Sequence, residues 1–177
     1  MKRVAMRVGE ILVDPDTNAP IVVLHGIDDE KIYLPLYIGT MEATAIATVL
    51  ADIEVPRPLT HDLFVSVLNE VGTYVRQVTI THLIEGTFYA EITLVDDQGH
   101  ALEVDARPSD AIAIALRTGA SLYVARTVLT EAGQVLDEEP GRGDQGDLQS
   151  VRERVALLDG DVRLEDLEED TFGKYKM

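Results

Sequence analysis

No cysteine and no tryptophan occur among the 177 residues, and aromatic side chains make up only 5%. Without cysteine there is no disulfide scaffold, no thiolate-held zinc or iron–sulfur centre and no cysteine nucleophile. The same absence fits every compartment and selects none. Lysine is missing between Lys31 and Lys174, and neither Lys31 nor the terminal lysines lie in a motif, which argues against lysine-based chemistry. Long apolar runs are missing too. The best, residues 111–125, is interrupted by Arg117 and follows directly on Asp110, short of the roughly 18 uncharged residues a membrane helix needs. Lys2 and Arg3 resemble the start of a secretion signal, but Arg7, Glu10 and Asp14 break any apolar stretch behind them. The expectation is a soluble, cytoplasmic protein with no membrane association.

What is present is acid. Thirty-two Asp and Glu face 15 Lys and Arg, a formal charge of −17, and 46% of residues are hydrophobic. That apolar share is ordinary for a globular domain and excludes disorder of the whole chain. The length suits one core, burying about 70% of the unfolded surface. A field of this sign repels phosphate, so electrostatics alone speak against nucleic-acid binding. Chemistry on nucleic acid would need a local arginine cluster or divalent metal to overcome it.

Patterning places the elements. Residues 4–13, 19–25 and 31–38 read as strands, the first two separated by the turn-forming Asp14-Pro15-Asp16-Thr17-Asn18. Ala43, Ile46, Ala47 and Leu50 fall at helical spacing, and a second helix runs over 60–70 to Gly72. Strands follow at 74–83, 87–96 and 100–106, the last two joined by a hairpin at Asp96-Asp97-Gln98-Gly99. A very apolar helix at 110–118, a strand at 121–125 and a helix at 126–132 complete this part. The Gly- and Pro-punctuated run from Glu139 to Gly146 reads as a linker, so the chain divides at 1–133 and 134–177. In the second part Leu148, Val151, Val155 and Leu158 recur at roughly helical spacing after Asp147, followed by an acidic end.

The first part aligns with itself. Glu42-Ala43-Thr44-Ala45-Ile46-Ala47 matches Asp110-Ala111-Ile112-Ala113-Ile114-Ala115 at an offset of 68, with Leu34 falling on Leu102. Val67-Leu68-Asn69-Glu70-Val71-Gly72 matches Val128-Leu129-Thr130-Glu131-Ala132-Gly133 at an offset of 61. An internal duplication of a strand–helix–extended–helix unit is the expectation. The fold class that follows is α+β, a mixed sheet packed with helices.

Each half also holds an Arg-Pro step leading into a helix: Arg57-Pro58-Leu59-Thr60-His61-Asp62 and Arg107-Pro108-Ser109-Asp110. Thr60 and Ser109 stand at expected N-caps, and Asp62, Asp110 and Glu42 in expected first turns. Capping and complementing the helix dipole account for all five in purely structural terms. Hard carboxylate oxygens are equally the ligands that Mg²⁺ or Mn²⁺ prefers. Arg57 and Arg107 are placed either to pair with Asp62, Asp105 or Asp110 or to receive a phosphate on the rigid guanidinium fork. His61, beside Asp62, is either an exposed capping residue or an acid–base group. His25, His82 and His100 read as structural. No HxH or HExxH pair occurs, no phosphate-cradling glycine loop, no GxSxG and no nuclease signature ending in Glu-x-Lys.

Three segments together resemble the bifunctional nuclease domain family of bacteria and plants. They are Leu34-Pro35-Leu36-Tyr37-Ile38-Gly39 running into Glu42-Ala43, Arg57-Pro58-Leu59-Thr60-His61-Asp62-Leu63, and 105–117, from Asp105-Ala106-Arg107-Pro108-Ser109-Asp110 to Leu116-Arg117. The resemblance covers about residues 3–132 and implies nuclease activity on RNA and DNA, an α+β fold with a mixed sheet, and association into a homodimer or other homo-oligomer. The acidic extension is similar to that of some bacterial members.

On this reading the chain is a metal-assisted phosphodiesterase. Glu42, Asp62 and Asp110 hold Mg²⁺ or Mn²⁺, Arg57 and Arg107 clamp the phosphate, and His61 moves the proton. The competing expectation is a non-catalytic oligomeric binding or regulatory module, in which every one of these residues is a cap or an internal ion pair.

Overall fold

Alternating apolar residues in the first part build strands, and helices pack against the sheet that these strands form. A computed structural model describes residues 2–135, so the linker and the helix expected after Asp147 lie outside the described residues. The order is β1 (Arg3–Val13), β2 (Pro20–Gly26), β3 (Ile32–Tyr37), α1 (Thr40–Leu50) and α2 (Thr60–Glu70). It continues with β4 (Thr73–Ile84), β5 (Thr87–Asp96), β6 (Ala101–Ala106), α3 (Pro108–Thr118), β7 (Ser121–Ala125), α4 (Arg126–Ala132) and β8 (Gln134–Val135). Every element expected from patterning in this region is present, and β8 is the one that patterning missed. Two residues carry no period to detect.

The eight described strands form one mixed sheet in the order β6-β5-β4-β7-β1-β2-β3-β8. β1–β2–β3 and β4–β5–β6 are antiparallel meanders, each followed by a helix. β7 sits between them, parallel to β4 and antiparallel to β1, and thereby joins two meanders into one sheet. The halves differ after their first helix, since residues 51–59 form no strand where the second half has β7.

Turn chemistry fixes the registers. Asp14 Oδ1 accepts the N–H groups of Asp16 and Thr17, both at 2.9 Å, which closes the β1–β2 turn. Glu85 and Gly86 both have positive φ, the requirement of a tight two-residue hairpin between β4 and β5. In β1 the register shifts between Val8 and Ile11, and Gly9 lies under His25, where a Cβ would collide with the imidazole. His25 is buried there, 3.5 Å from Glu10.

The core lies between the sheet and the helices. Leu24, Leu34, Val78, Ile80 and Val124 from the sheet meet Ile46 of α1, Leu68 of α2, Ile112 of α3 and Val128 of α4. Each fully buried aliphatic side chain of this kind contributes about 1.5–3 kcal/mol. α3 is the central helix: Ala111, Ile112, Ala113, Ile114 and Ala115 are all buried, because α3 packs on α1, α2 and the sheet at once. It ends at Gly119, whose left-handed φ of 67° a side chain would resist. No helix among the described residues is long and apolar enough to cross a membrane.

Candidate active site

Three helices carry an acid at the third position after the cap: Glu42 in α1, Asp62 in α2 and Asp110 in α3. A carboxylate there offsets the partial positive charge of unbonded N–H groups. Asp62 does so directly, its Oδ2 accepting the Leu59 N–H at 2.8 Å. Glu42 folds back toward Gly39, so that a Cβ at Gly39 would collide with its carboxylate.

The caps are not the hydroxyl residues expected. Leu59 and Arg107 occupy the cap positions, and neither Thr60 nor Ser109 makes a capping bond. At α3 the reason is Pro108, which fits the first helical position and holds the residue before it extended. Arg107 accordingly has φ −69° and ψ 145°. Ser109 is buried inside the first turn instead.

This placement sends Arg107 across the gap between two helices. Its Nε donates to Asp110 Oδ2 at 2.7 Å, one terminal nitrogen to Asp110 Oδ1 at 3.2 Å, and the other to Glu42 Oε1 at 2.8 Å. From the start of α2, His61 Nε2 lies 3.1 Å from Asp110 Oδ1. The beginnings of α1, α2 and α3 therefore meet around the Arg107–Asp110 pair, α1 through Glu42 on the guanidinium and α2 through His61 on the carboxylate. Next to His61 in the chain, Asp62 belongs to a second, deeper pair: Arg117 Nε donates to its Oδ1, while the same guanidinium donates to the carbonyls of Ala45 at 2.9 Å and Ala113 at 3.0 Å. No buried side-chain N or O atom among the described residues lacks a partner.

The electrostatics follow from these bonds. The Arg107 guanidinium holds the Asp110 carboxyl below the usual carboxylate range against the opposing effect of partial burial, with the His61 contact adding to it. For Asp62, burial pushes upward, but the Arg117 bond and charge and the Leu59 N–H outweigh it and keep the carboxyl low. Arg107 in turn is driven still higher by Asp110 and Glu42. An ionised Asp110 only accepts hydrogen bonds, so in a neutral His61 ring Nε2 carries the proton and Nδ1 is the accepting nitrogen.

Of the residues singled out in sequence, the structure gathers Glu42, His61, Asp62, Arg107 and Asp110. It does not bring in Arg57, which is exposed and bonds to none of them. The pairing expected for the arginines is met by Arg107 with Asp110, whereas Asp105 takes no part. Arg117 is the residue that sequence reasoning passed over. Its signal was its position: a lone guanidinium on an otherwise apolar helix, seven residues after Asp110 and so on the same face, requires a buried acceptor. His100 bonds Asp96 at 2.9 Å within its own hairpin and stands apart from the cluster.

The carboxylates have the hard oxygens a divalent cation favours. As arranged, both oxygens of Asp62 and of Asp110 and one of Glu42 already accept hydrogen bonds from protein groups. Among the described residues no three His, Asp or Glu side chains surround a common point at ligand distance. The set in this arrangement does not fit a metal, which would have to displace Arg107.

Comparison with known proteins matches residues 22–137 to the bifunctional nuclease domain. An uncharacterized protein of Mycobacterium tuberculosis is 41% identical over 148 residues, 84% of this chain and 85% of the relative. Bifunctional nuclease 2 of rice, Oryza sativa subsp. japonica, is 28% identical over 125 residues, 70% of this chain and 38% of its own length. Bifunctional nuclease 2 of Arabidopsis thaliana is 27% identical over 119 residues, 66% of this chain and 36% of its own length. The match thus spans little more than a third of each plant protein.

Proposed function

Because the chain belongs to the bifunctional nuclease domain family, we propose that it hydrolyses phosphodiester bonds of RNA, DNA or both at the His61–Asp110–Arg107 cluster. The observation that carries this reading is the junction itself: an imidazole seated on a carboxylate that an exposed arginine also grips. His61 Nδ1 accepts the proton of the attacking water, and the new bond forms from the water oxygen to phosphorus. Asp110 is a positioning residue that fixes the ring and steadies the imidazolium that results. Arg107 has five N–H donors, three of which are engaged with Asp110 and Glu42. The other two face the charge that develops on the phosphorane oxygens. The bond from phosphorus to the leaving oxygen then breaks, and that oxygen takes up the proton His61 had gained.

Glu42 keeps Arg107 at hand without neutralising it alone. Asp62 and Arg117 act at one remove by fixing the start of α2, on which His61 stands. The Mg²⁺ or Mn²⁺ expected from sequence enters as a condition of the test, and no step above runs through it.

Cleavage of end-labelled single-stranded RNA and DNA tests the reading, with Mg²⁺, with Mn²⁺ and with chelator, for the wild type and for His61→Asn purified identically. Loss of about 10²–10⁴-fold in the variant is expected. Equal cutting by the two proteins removes His61 from the chemistry. A second reading, the non-catalytic binding or regulatory module, is favoured by the engagement of Arg107 and Asp110 in internal ion pairs. Absence of cutting under every condition would establish it in place of the first.

A further inference from the structure

A chain of charge −17 that handles nucleic acid needs a place where the strand is attracted rather than repelled. The cluster around Asp110 does not supply it, since its two arginines face three carboxylates. The other seven described lysines and arginines are mostly scattered or paired, with one exception. Lys2 and Arg126 stand together where the start of β1 meets the end of β7, whereas the side chain of Arg3 points to the sheet face away from Val4 and the core. The Arg126 N–H donates to the Lys2 carbonyl at 3.0 Å, and Arg3 is in register with Ala125. All three side chains are exposed, and none forms an ion pair with a described residue. Lys2 and Arg126 line a shallow depression of about 450 Å³, together with Thr127, Thr130 and a single acid, Glu131. Arg3 is engaged separately, its guanidinium 4.1 Å from the centre of the Tyr123 ring.

The topology relates this patch to the cluster. β6 and β7 run parallel, since each is parallel to β4, and Arg107 and Arg126 are the first residues beyond their carboxyl ends. Ala106, Ala90, Ile80 and Val124 form one row across the sheet. Three interstrand steps of about 4.8 Å separate its ends, so the two arginines stand on the order of 15 Å apart on one sheet edge. The β4–β5 hairpin projects past that row between them, and a strand joining the two would cross it.

We propose that Lys2 and Arg126 form a secondary binding site for the sugar–phosphate backbone of a single nucleic-acid strand whose scissile bond lies at His61–Asp110–Arg107. This inference rests on the nuclease reading above. Lys2 and Arg126 contact phosphates as point charge and fork. The patch selects the backbone and not the sequence, because no buried donor or acceptor lies in it to read a base edge.

The test is binding of a short labelled single strand, DNA and RNA, to the full chain carrying His61→Asn so that the probe stays intact. Anisotropy titrations over a range of salt give affinity and salt slope for this parent, for added Lys2→Gln/Arg126→Gln, and for added Arg76→Gln, an exposed cation outside the patch. The double variant should bind about tenfold more weakly, with a salt slope shallower by about 1.4, the value for two lost phosphate contacts on a single strand. Arg76→Gln should stay within about twofold, which separates a site from the general field. Equal losses in both variants, or no loss in the double variant, would overturn the proposal. So would retention of anionic phospholipid vesicles that depends on Lys2 and Arg126 when strand binding does not, which would make the patch a membrane contact. Wild-type cutting with an unaffected double variant sinks this site alone, whereas neither cutting nor binding by the wild type removes the nuclease reading as well.

Discussion

At the start of α3, Arg107 keeps 64% of its side chain exposed while bridging Glu42 and Asp110; near the end of the same helix, Arg117 is 6% exposed and bonded to Asp62 and two carbonyls. The chemical group is the same and so is the kind of partner. Solvent separates their roles. Water around Arg107 screens its ion pairs, so they contribute little to stability and exchange readily for a phosphate. Arg117 is nearly shut off from solvent, so its bonds lock α1, α2 and α3 together and are costly to exchange. One end of the helix is free to act because the other end is fixed.

The largest effect should come from breaking the buried end. Arg117→Ala leaves Asp62 without its partner and removes donors from Ala45 and Ala113, a loss of about 3–5 kcal/mol. For a chain of this size that is on the order of 10 °C in the melting temperature, and calorimetry on the variant reads it directly. A drop of only a degree or two would show that the pair is as dispensable as a surface one. At the exposed end, Arg107→Ala should change stability by less than about 1 kcal/mol and lower strand cleavage by about 10²–10³-fold. Arg107→Lys should restore little, because an ammonium cannot bond Asp110 through two nitrogens and still reach Glu42. If both variants cut normally, the division of labour along α3 is wrong.

The smallest effect is an acid one, and it sharpens the same contrast. Asp62 and Asp110 both ionise below their ordinary range when folded. Their contribution to stability is therefore complete above the unfolded aspartate value of about 3.9 and is lost as pH falls through the lower folded values. Urea midpoints should fall as pH drops through and below the unfolded aspartate value of about 3.9, and by a smaller amount in Arg117→Ala, where Asp62 no longer has its main depressing partner. An identical acid slope in the two proteins would remove Asp62 from that linkage.

Some of this was legible from residues alone. Patterning of period two and of 3.6 residues, with Gly72, Gly99 and Asp14 as punctuation, located the twelve described elements apart from β8, because burial of one face leaves a periodic trace in sequence. Glu42, His61, Asp62, Arg107 and Asp110 were visible as candidates because polar residues beside Arg-Pro steps and helix starts are a local signature. Only the local pair of Arg107 with Asp110 could be anticipated, since the other contacts join residues 49 to 72 positions apart. Nothing local distinguished Arg57 from Arg107. Both precede a proline, and only the crossing of α3 past α1 brings Glu42 to the second and leaves the first in solvent.

The sequence by itself determined the class of fold, the helix starts on which the polar residues stand and the acidic field that any nucleic-acid strand must overcome, because all three depend on composition and short-range order. The tertiary structure decided which carboxylate meets His61, which arginine is buried and where Lys2 and Arg126 come together, because those depend on long-range contacts and on access of water to each guanidinium.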